Sequence, residues 1–520
     1  MSFLNSSSLT SSITLPTSVQ NNWAAVGLAF LSAGAVFGVS RTFISSSRST
    51  YIINSSGERL PHADEDTRFS RFSHGKELGD RLVKELGPIY TFQSGTLREL
   101  VLTQPEDIKV YYRDALGKDE SKAHIKSLAI SFGDYMRRFL SQSVGFKFGN
   151  DWKRIRDAVD PHFIRKMALD AVPNMKIDYD SWMKALRGNA AAVAKGSSPN
   201  DPFEIEAVAA TKELPFKAIA KSIYGETLND KWYERLWELH MIHERVMANA
   251  IGNKNATKAW YRFFPTQANK DLRAFKNGYK AFNFEIVAES EKLGYDTVAV
   301  RMYGSVADGL ISEDEFNQTL DEILFANIDV TSVAQAWFLL DIGKYPDIQE
   351  RLRAEVASVD EYDPKAVADY LSSTTNLMHL VHSESARLHP ILWYNIPEVI
   401  SVEKNIGGYH IPRGTSVCIS TYHVNTNPAI WGSDSTSFRP ERFKEISSSQ
   451  YRHAFWRYGL GPRQCLGKNF APLIVKLVAL KVLKTHRIET VTDVDFDRMQ
   501  FTVTPKAALR FTPLRMSFLS

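Results

Sequence analysis

One of only two cysteines in 520 residues lies in a stretch whose composition could hold a sulfur in a fixed place. It reads Tyr458-Gly459-Leu460-Gly461-Pro462-Arg463-Gln464-Cys465-Leu466-Gly467. Two glycines and a proline before the thiol, and a glycine after it, describe a tight loop with no side chains on its inner side. Such a loop aims backbone N–H groups at the sulfur and favours the thiolate, the form that binds metal. Arg463 adds positive charge two residues away. Zinc would need a second Cys or a suitably spaced His, and neither lies nearby. An inert core cysteine in an ordinary turn is the plain alternative. A single thiolate beside an arginine suits an anionic macrocycle carrying iron, with sulfur on the metal and the guanidinium on a propionate.

Other pairs stand upstream. In Glu384-Ser385-Ala386-Arg387 the three-residue spacing puts both charges on one helix face, just before His389-Pro390. Alone, this pair reads as a solvated surface contact worth a few tenths of a kcal/mol. Pro440-Glu441-Arg442-Phe443 supplies a further arginine. Trp152 and Arg156, at i and i+4, share a helix face. Ser312-Glu313-Asp314-Glu315 has capping-box spacing and opens an amphipathic run through Leu340. That run contains Ala326-Asn327-Ile328-Asp329-Val330-Thr331-Ser332.

In this order the motifs resemble those of the haem-thiolate monooxygenases, the cytochrome P-450 family, whose cysteine loop reads aromatic-Gly-x-Gly-x-Arg-x-Cys-x-Gly. Tyr458 takes the place of the usual Phe. The resemblance runs from about residue 60 to the end of the chain and implies a mainly α fold with small β-sheets. A long central helix would cross over haem b. Cys465 would be the axial ligand of the haem iron, Tyr458 would pack under the ring, and Trp152, Arg156 and Arg463 would meet the propionates. Glu384, Arg387 and Arg442 would form a buried charged triad. Asp329 would relay protons, with Thr331 or Asn327 supplying a hydrogen bond on the oxygen side. Two departures bear on that role: Asn327 stands where Gly is common, and Val330 where a Thr is usual. Thr331 follows one residue later, which turns a hydroxyl by about 100° on a regular helix; a local widening would turn it back. Glu398 occupies a region where the family often places a basic propionate partner.

The same resemblance implies electrons from NADPH through a separate NADPH-cytochrome P-450 reductase, since no flavin or nicotinamide motif is present. One oxygen atom would enter a lipophilic small molecule, with fungal secondary-metabolite oxidases as the nearest kind. A haem-thiolate isomerase, dehydratase or ring-coupling oxidase without oxygen insertion is the alternative within enzymes, and a haem sensor or membrane scaffold is the alternative outside them. Lys153, Arg154 and Lys468 would offer an acidic electron donor a basic face.

The elements that must position these residues are mostly helical by period. Strand-like runs fall near Tyr90–Phe92, Leu100–Leu102, Ser416–Ile419 and Phe501–Thr504. No linker divides the chain, so residues 61–520 read as one catalytic domain, after a Ser/Thr-rich segment 1–22, an anchor 23–40 and a linker 41–60. A net charge of +4 is small for this length and does not point to nucleic acid. Two cysteines exclude a disulfide framework and fit a reducing compartment. Trp23 to Val39 is uncharged and, at roughly 17–18 residues, at the lower limit for spanning a bilayer. Arg41 and Arg48 follow it and no basic residue precedes it. The charge rule therefore expects a single-pass anchor in the endoplasmic reticulum membrane, with the catalytic domain in the cytosol. A cleaved signal peptide is the competing reading.

Overall fold

The computed structural model describes residues 52–514 apart from 96, 114–123, 127, 176–178, 190–200 and 326–327. The expected anchor at 23–40 and Asn327 lie outside the described residues.

Helical periodicity becomes helices that bury one face, and the candidate residues sit on or between a few of them. These are α1 (Gly149–Val159), α2 (Ala207–Thr211), α3 (Glu213–Tyr224), α4 (Asp230–Gly252), α5 (Gln267–Lys292), α6 (Glu313–Leu324), α7 (Ile328–Lys344), α8 (Leu377–Leu388) and α9 (Ala471–Thr485). The capping box forms at the start of α6: Glu315 N donates to Ser312 Oγ at 3.2 Å, and Ser312 N donates to Glu315 Oε2 at 2.8 Å. This satisfies backbone donors that a helix start leaves open. α7 buries residues on nearly every side, including Val333, Ala336, Phe338 and Leu339, the signature of a helix through the middle of a core. The run Glu313–Lys344 is apolar and long enough to cross a membrane, but 81% of its apolar window is buried inside the protein. Core packing therefore accounts for its hydropathy.

A larger sheet lies beside the helices. Its strands are β1 (His62–Asp66), β2 (Ile89–Ser94), β3 (Leu97–Leu102), β4 (Ile125–Lys126), β6 (Glu398–Val399) and β7 (Ser416–Ile419), in the order β1-β2-β3-β7-β6-β4. Tyr90 faces Val101 across an antiparallel pair, and Val101 faces Cys418 across a parallel one. A second sheet joins β5 (Phe203–Glu206), β8 (His486–Thr490) and β9 (Ala508–Pro513), in the order β8-β9-β5. Phe203 and Phe511 stack there at 5.3 Å. The expected strand at Phe501–Thr504 does not form. Its backbone is drawn elsewhere: Val503 N donates to Ile391 O at 2.8 Å, and Val503 O accepts from Trp337 Nε1 at 2.7 Å.

Glu384 and Arg387 on α8 meet Arg442 in one fully buried cluster. Arg387 donates through Nε and Nη2 to Glu384 at 2.7 Å each, and Arg442 Nε donates to Glu384 Oε1 at 2.9 Å. The second positive charge is met by Asp434 Oδ1, 3.4 Å from Arg442 Nη1, and by main-chain carbonyls: Asn425 and Ser435 accept from Arg387, and Trp431 and Ser437 accept from Arg442. The spacing that alone suggests a surface pair thus belongs to a core one. Breaking such a pair strands a buried charge at a cost of about 3–5 kcal/mol. Arg442→Met is expected to lower the thermal and urea midpoints accordingly; an unchanged midpoint would show that the cluster contributes nothing to stability.

Candidate functional site

The cysteine loop closes on itself. Cys465 N donates to Tyr458 O at 3.0 Å, Gln464 N to Gly461 O at 3.2 Å, and Gln464 Nε2 to Gly459 O at 3.1 Å. Gly459 and Gly461 both take φ of +73°, where a side chain would strain the backbone. A Cβ on Gly459 would meet nothing within 4 Å, so its conformation requires glycine and the space beside it is open. The chain then winds through a short turn at Leu466–Asn469 into α9.

The two thiols differ sharply. Cys465 is exposed. Cys418 is buried and donates to Glu99 Oε2 at 3.2 Å, and burial, reinforced by Glu99, pushes its thiol well up. That leaves Cys418 an inert core group.

Arg463 is buried. Its Nη1 donates to Lys147 O at 2.7 Å, its Nη2 to Gly145 O at 3.0 Å, and its guanidinium lies 4.8 Å over the ring of Trp152 on α1. Among the described residues no carboxylate forms an ion pair with it. Burial pulls it down to about 10, with Glu398 and Glu322 opposing from a distance. A guanidinium held by two carbonyls and an indole face, with no counter-ion of its own, has the chemistry to receive a carboxylate.

Arg156 is committed differently: Nη2 donates to Gln464 O at 3.0 Å, and Nε lies 2.5 Å from Asp160 Oδ1. It braces the cysteine loop and already has a carboxylate. Tyr458 lies under the guanidinium of Arg457 at 4.7 Å, and burial raises its phenol. Arg154, read from sequence as part of a docking face, is bound twice by Glu315 at 2.7 and 2.9 Å. Lys153 pairs with Asp157, and Lys468 donates to Gln464 Oε1 at 2.8 Å while remaining exposed.

Across the interior, Thr331 on α7 is buried and its Oγ1 has no hydrogen-bond partner among the described residues. Asp329 keeps accessible surface although protein encloses it. That enclosure pushes its carboxyl up, against the pull of Lys212 and with a further push from Glu244.

Sequence reasoning missed several partners of this region. Glu398 accepts from Tyr112 OH at 2.9 Å and lies 3.3 Å from His124 Nδ1. His243 Nε2 lies 3.2 Å from Asp321 Oδ1, and Lys212 pairs with Glu244. No short-range spacing signals these contacts. Phe216, His240 and Phe325 gather as an aromatic wall: Phe216 lies 5.6 Å from His240 and 5.7 Å from Phe325, ring to ring.

An exposed cysteine on a glycine-shaped loop, open space beside Gly459, and a buried arginine lacking a counter-ion together fit an iron porphyrin bearing carboxylates. The chain belongs to the family described as Cytochrome P450, which matches residues 70–513. It is similar to the cytochrome P450 monooxygenase lepD of Aspergillus flavus, at 32% identity over 436 residues, covering 84% of each chain. It is likewise similar to the cytochrome P450 monooxygenase PUL2 of Kluyveromyces lactis, at 31% over 471 residues, covering 88% of this chain and 89% of that one. A third relative, the cytochrome P450 monooxygenase apdB of Emericella nidulans, is 30% identical over 466 residues, covering 86% and 89%. The chain is thus a monooxygenase of this family, and the family implies haem.

Two outcomes follow from the orphaned and buried groups. Thr331→Val removes a hydroxyl without a protein partner and keeps the shape, so stability is expected to hold or rise by about 1 kcal/mol. If that hydroxyl serves the oxygen side, product formed per NADPH falls in the same variant; unchanged coupling would remove Thr331 from the reaction. Burial also lowers His240 and His379 to about 4. Because the unfolded chain binds those protons near pH 6.5 and the folded chain does not, stability is full above about 6.5 and declines toward pH 4. Denaturation midpoints across that window check the sign, and His379→Phe should flatten the slope.

Proposed function

We propose that Cys465 is the axial thiolate of a haem monooxygenase that is anchored to the endoplasmic reticulum membrane and oxidises a lipophilic small molecule. The observation that carries this reading is the closed loop around Cys465, with its positive-φ glycines and an arginine lacking a counter-ion beside it. Bound haem supplies the oxygen and electron chemistry. The chain's own side chains do the rest. Cys465 offers the thiolate, Arg463 and Trp152 receive a propionate, and Arg156 braces the loop. Asp329 relays protons, with Thr331 or Asn327 supplying a hydrogen bond on the oxygen side.

Electrons would come from NADPH through a separate reductase, with exposed Lys468 on the docking side. Membrane anchoring is supported by the uncharged stretch Trp23–Val39. It is supported too by exposed rings at Trp260, Phe263 and Phe264 near Lys254 and Lys258, a composition suited to a membrane interface. Similarity to fungal monooxygenases supports a substrate from secondary metabolism, and the aromatic walls at Phe216 and Phe325 support an apolar one. Val330 in place of a hydroxyl favours, as a second reading, an oxidation without oxygen insertion.

The test is the absorption spectrum of the reduced protein with carbon monoxide, in the native chain and in Cys465→Ser. A thiolate signature in the first and its loss in the second is the expected result; the same spectrum and turnover in both would overturn the assignment. Labelled dioxygen with NADPH and reductase then separates the two reactions, since only insertion places label in the product.

A further inference from the structure

Several buried polar side chains of the interior have no role in the reading above, and those around His240 lie among the charged groups that act on Asp329. His240 on α4 is fully buried, and neither ring nitrogen has a hydrogen-bond partner among the described residues. Its ring is clamped by Trp237 at 4.8 Å, Phe216 at 5.6 Å and Phe325 at 6.5 Å, the last nearly parallel. One turn along α4, Glu244 Oε1 lies 3.7 Å from His240 Nε2. Glu244 pairs with Lys212, which joins α2 to α3, and both side chains are about one-third exposed (32% and 31%). Lys212, Glu244 and His243 are also the charged groups that act on Asp329. The cluster therefore reaches solvent at one end and the acid of α7 at the other.

A neutral imidazole carries one N–H and one lone pair. Buried groups of that kind destabilise a fold unless they are bonded, and where protein offers no partner, water does. Thr331 Oγ1 and both side-chain polar atoms of Gln335, one turn further along α7, are in the same condition, while His243 Nε2 and Asp321 Oδ1 face each other at 3.2 Å between α4 and α6. Orphaned polar atoms of this kind are ones that buried water satisfies.

We propose that His240, entered from solvent at the Lys212–Glu244 pair, is the relay through which protons reach Asp329. A proton from solvent at Glu244 binds the lone-pair nitrogen of the ring. The N–H proton on the opposite nitrogen leaves through water to the Asp329 carboxylate. The ring is neutral before and after, in the other tautomer, and Asp329 gains the one proton that solvent lost. The aromatic clamp suits this role because it disfavours an imidazolium, on which a proton would stall. Tautomer exchange through water restores the ring for the next proton.

The inference rests on Asp329 being the proton-handling acid, so that variant is tested in parallel. Asp329→Asn, His240→Phe and Glu244→Gln are compared with the native holoenzyme, reductase present. The readouts are product per NADPH, the solvent deuterium isotope effect on turnover, and the thermal midpoint. Nitrogen NMR of labelled histidine reads the His240 tautomers without turnover. Expected in His240→Phe are a fall of about tenfold in coupling, an altered isotope effect, and a midpoint equal to or above native. Glu244→Gln should shift coupling the same way to a smaller extent. The native protein should show both His240 tautomers in exchange with water. Native coupling in His240→Phe together with a lowered midpoint would make His240 a packing residue and sink the relay, as would a single tautomer shielded from water. Impaired Asp329→Asn beside normal His240→Phe and Glu244→Gln overturns the relay alone; normal Asp329→Asn overturns the reading of the acid on which it rests.

Discussion

The guanidinium of Arg463 is bonded to the carbonyls of Gly145 and Lys147, and this contact ties together parts of the molecule that are far apart in the chain. Gly145 N in turn donates to Glu322 Oε2 on α6 at 2.7 Å, so the cysteine loop, the segment before α1 and the central helix pair share one anchor. A Cβ on Gly145 would lie 1.8 Å from Glu322 Oε1, so a larger residue there would have to displace the carboxylate that Gly145 N now holds. A buried positive charge in such a place needs a negative partner. Once the fold commits Arg463 to the interior, an anionic group beside it, such as the propionate proposed above, would complete its charge balance.

A second constraint acts from behind. The Glu384–Arg387–Arg442 cluster fixes the chain between α8 and the cysteine loop by gripping the main chain at Asn425, Trp431, Ser435 and Ser437. Charge here serves as scaffolding: the arginines hold carbonyls that no helix or sheet has used. The loop can then be short and strained at its glycines without drifting, and Cys465 stays where α9 begins.

Legibility from sequence followed the range of the interaction. The loop at 458–467, the capping box at Ser312 and the strands near Tyr90, Leu100 and Ser416 are written in neighbouring residues, and each forms where its spacing points. Trp152 and Arg463 are separated by 311 positions by number, and only the motif order placed them together. Arg156 illustrates the limit: its helix face was readable, but its commitment to Asp160 was not, because i,i+4 pairing and ligand pairing look alike in one dimension. The contacts of Glu398 with Tyr112 and His124, and of Asp321 with His243, carried no signal, since those partners come from distant parts of the chain. Phe501–Thr504 has a strand's composition, yet tertiary bonds from Trp337 and Ile391 claim its backbone, a case of packing overriding propensity.

The contrast between the two sulfurs has a practical corollary. Cys418 is sealed beside Glu99 and Arg71, whose own contact is 2.5 Å, while Cys465 is open to reagents unless something covers it. An alkylating probe is therefore expected to modify Cys465 before Cys418. If Cys465 carries the haem iron as proposed, thiol stoichiometry becomes a gauge of how completely a preparation has acquired its pigment.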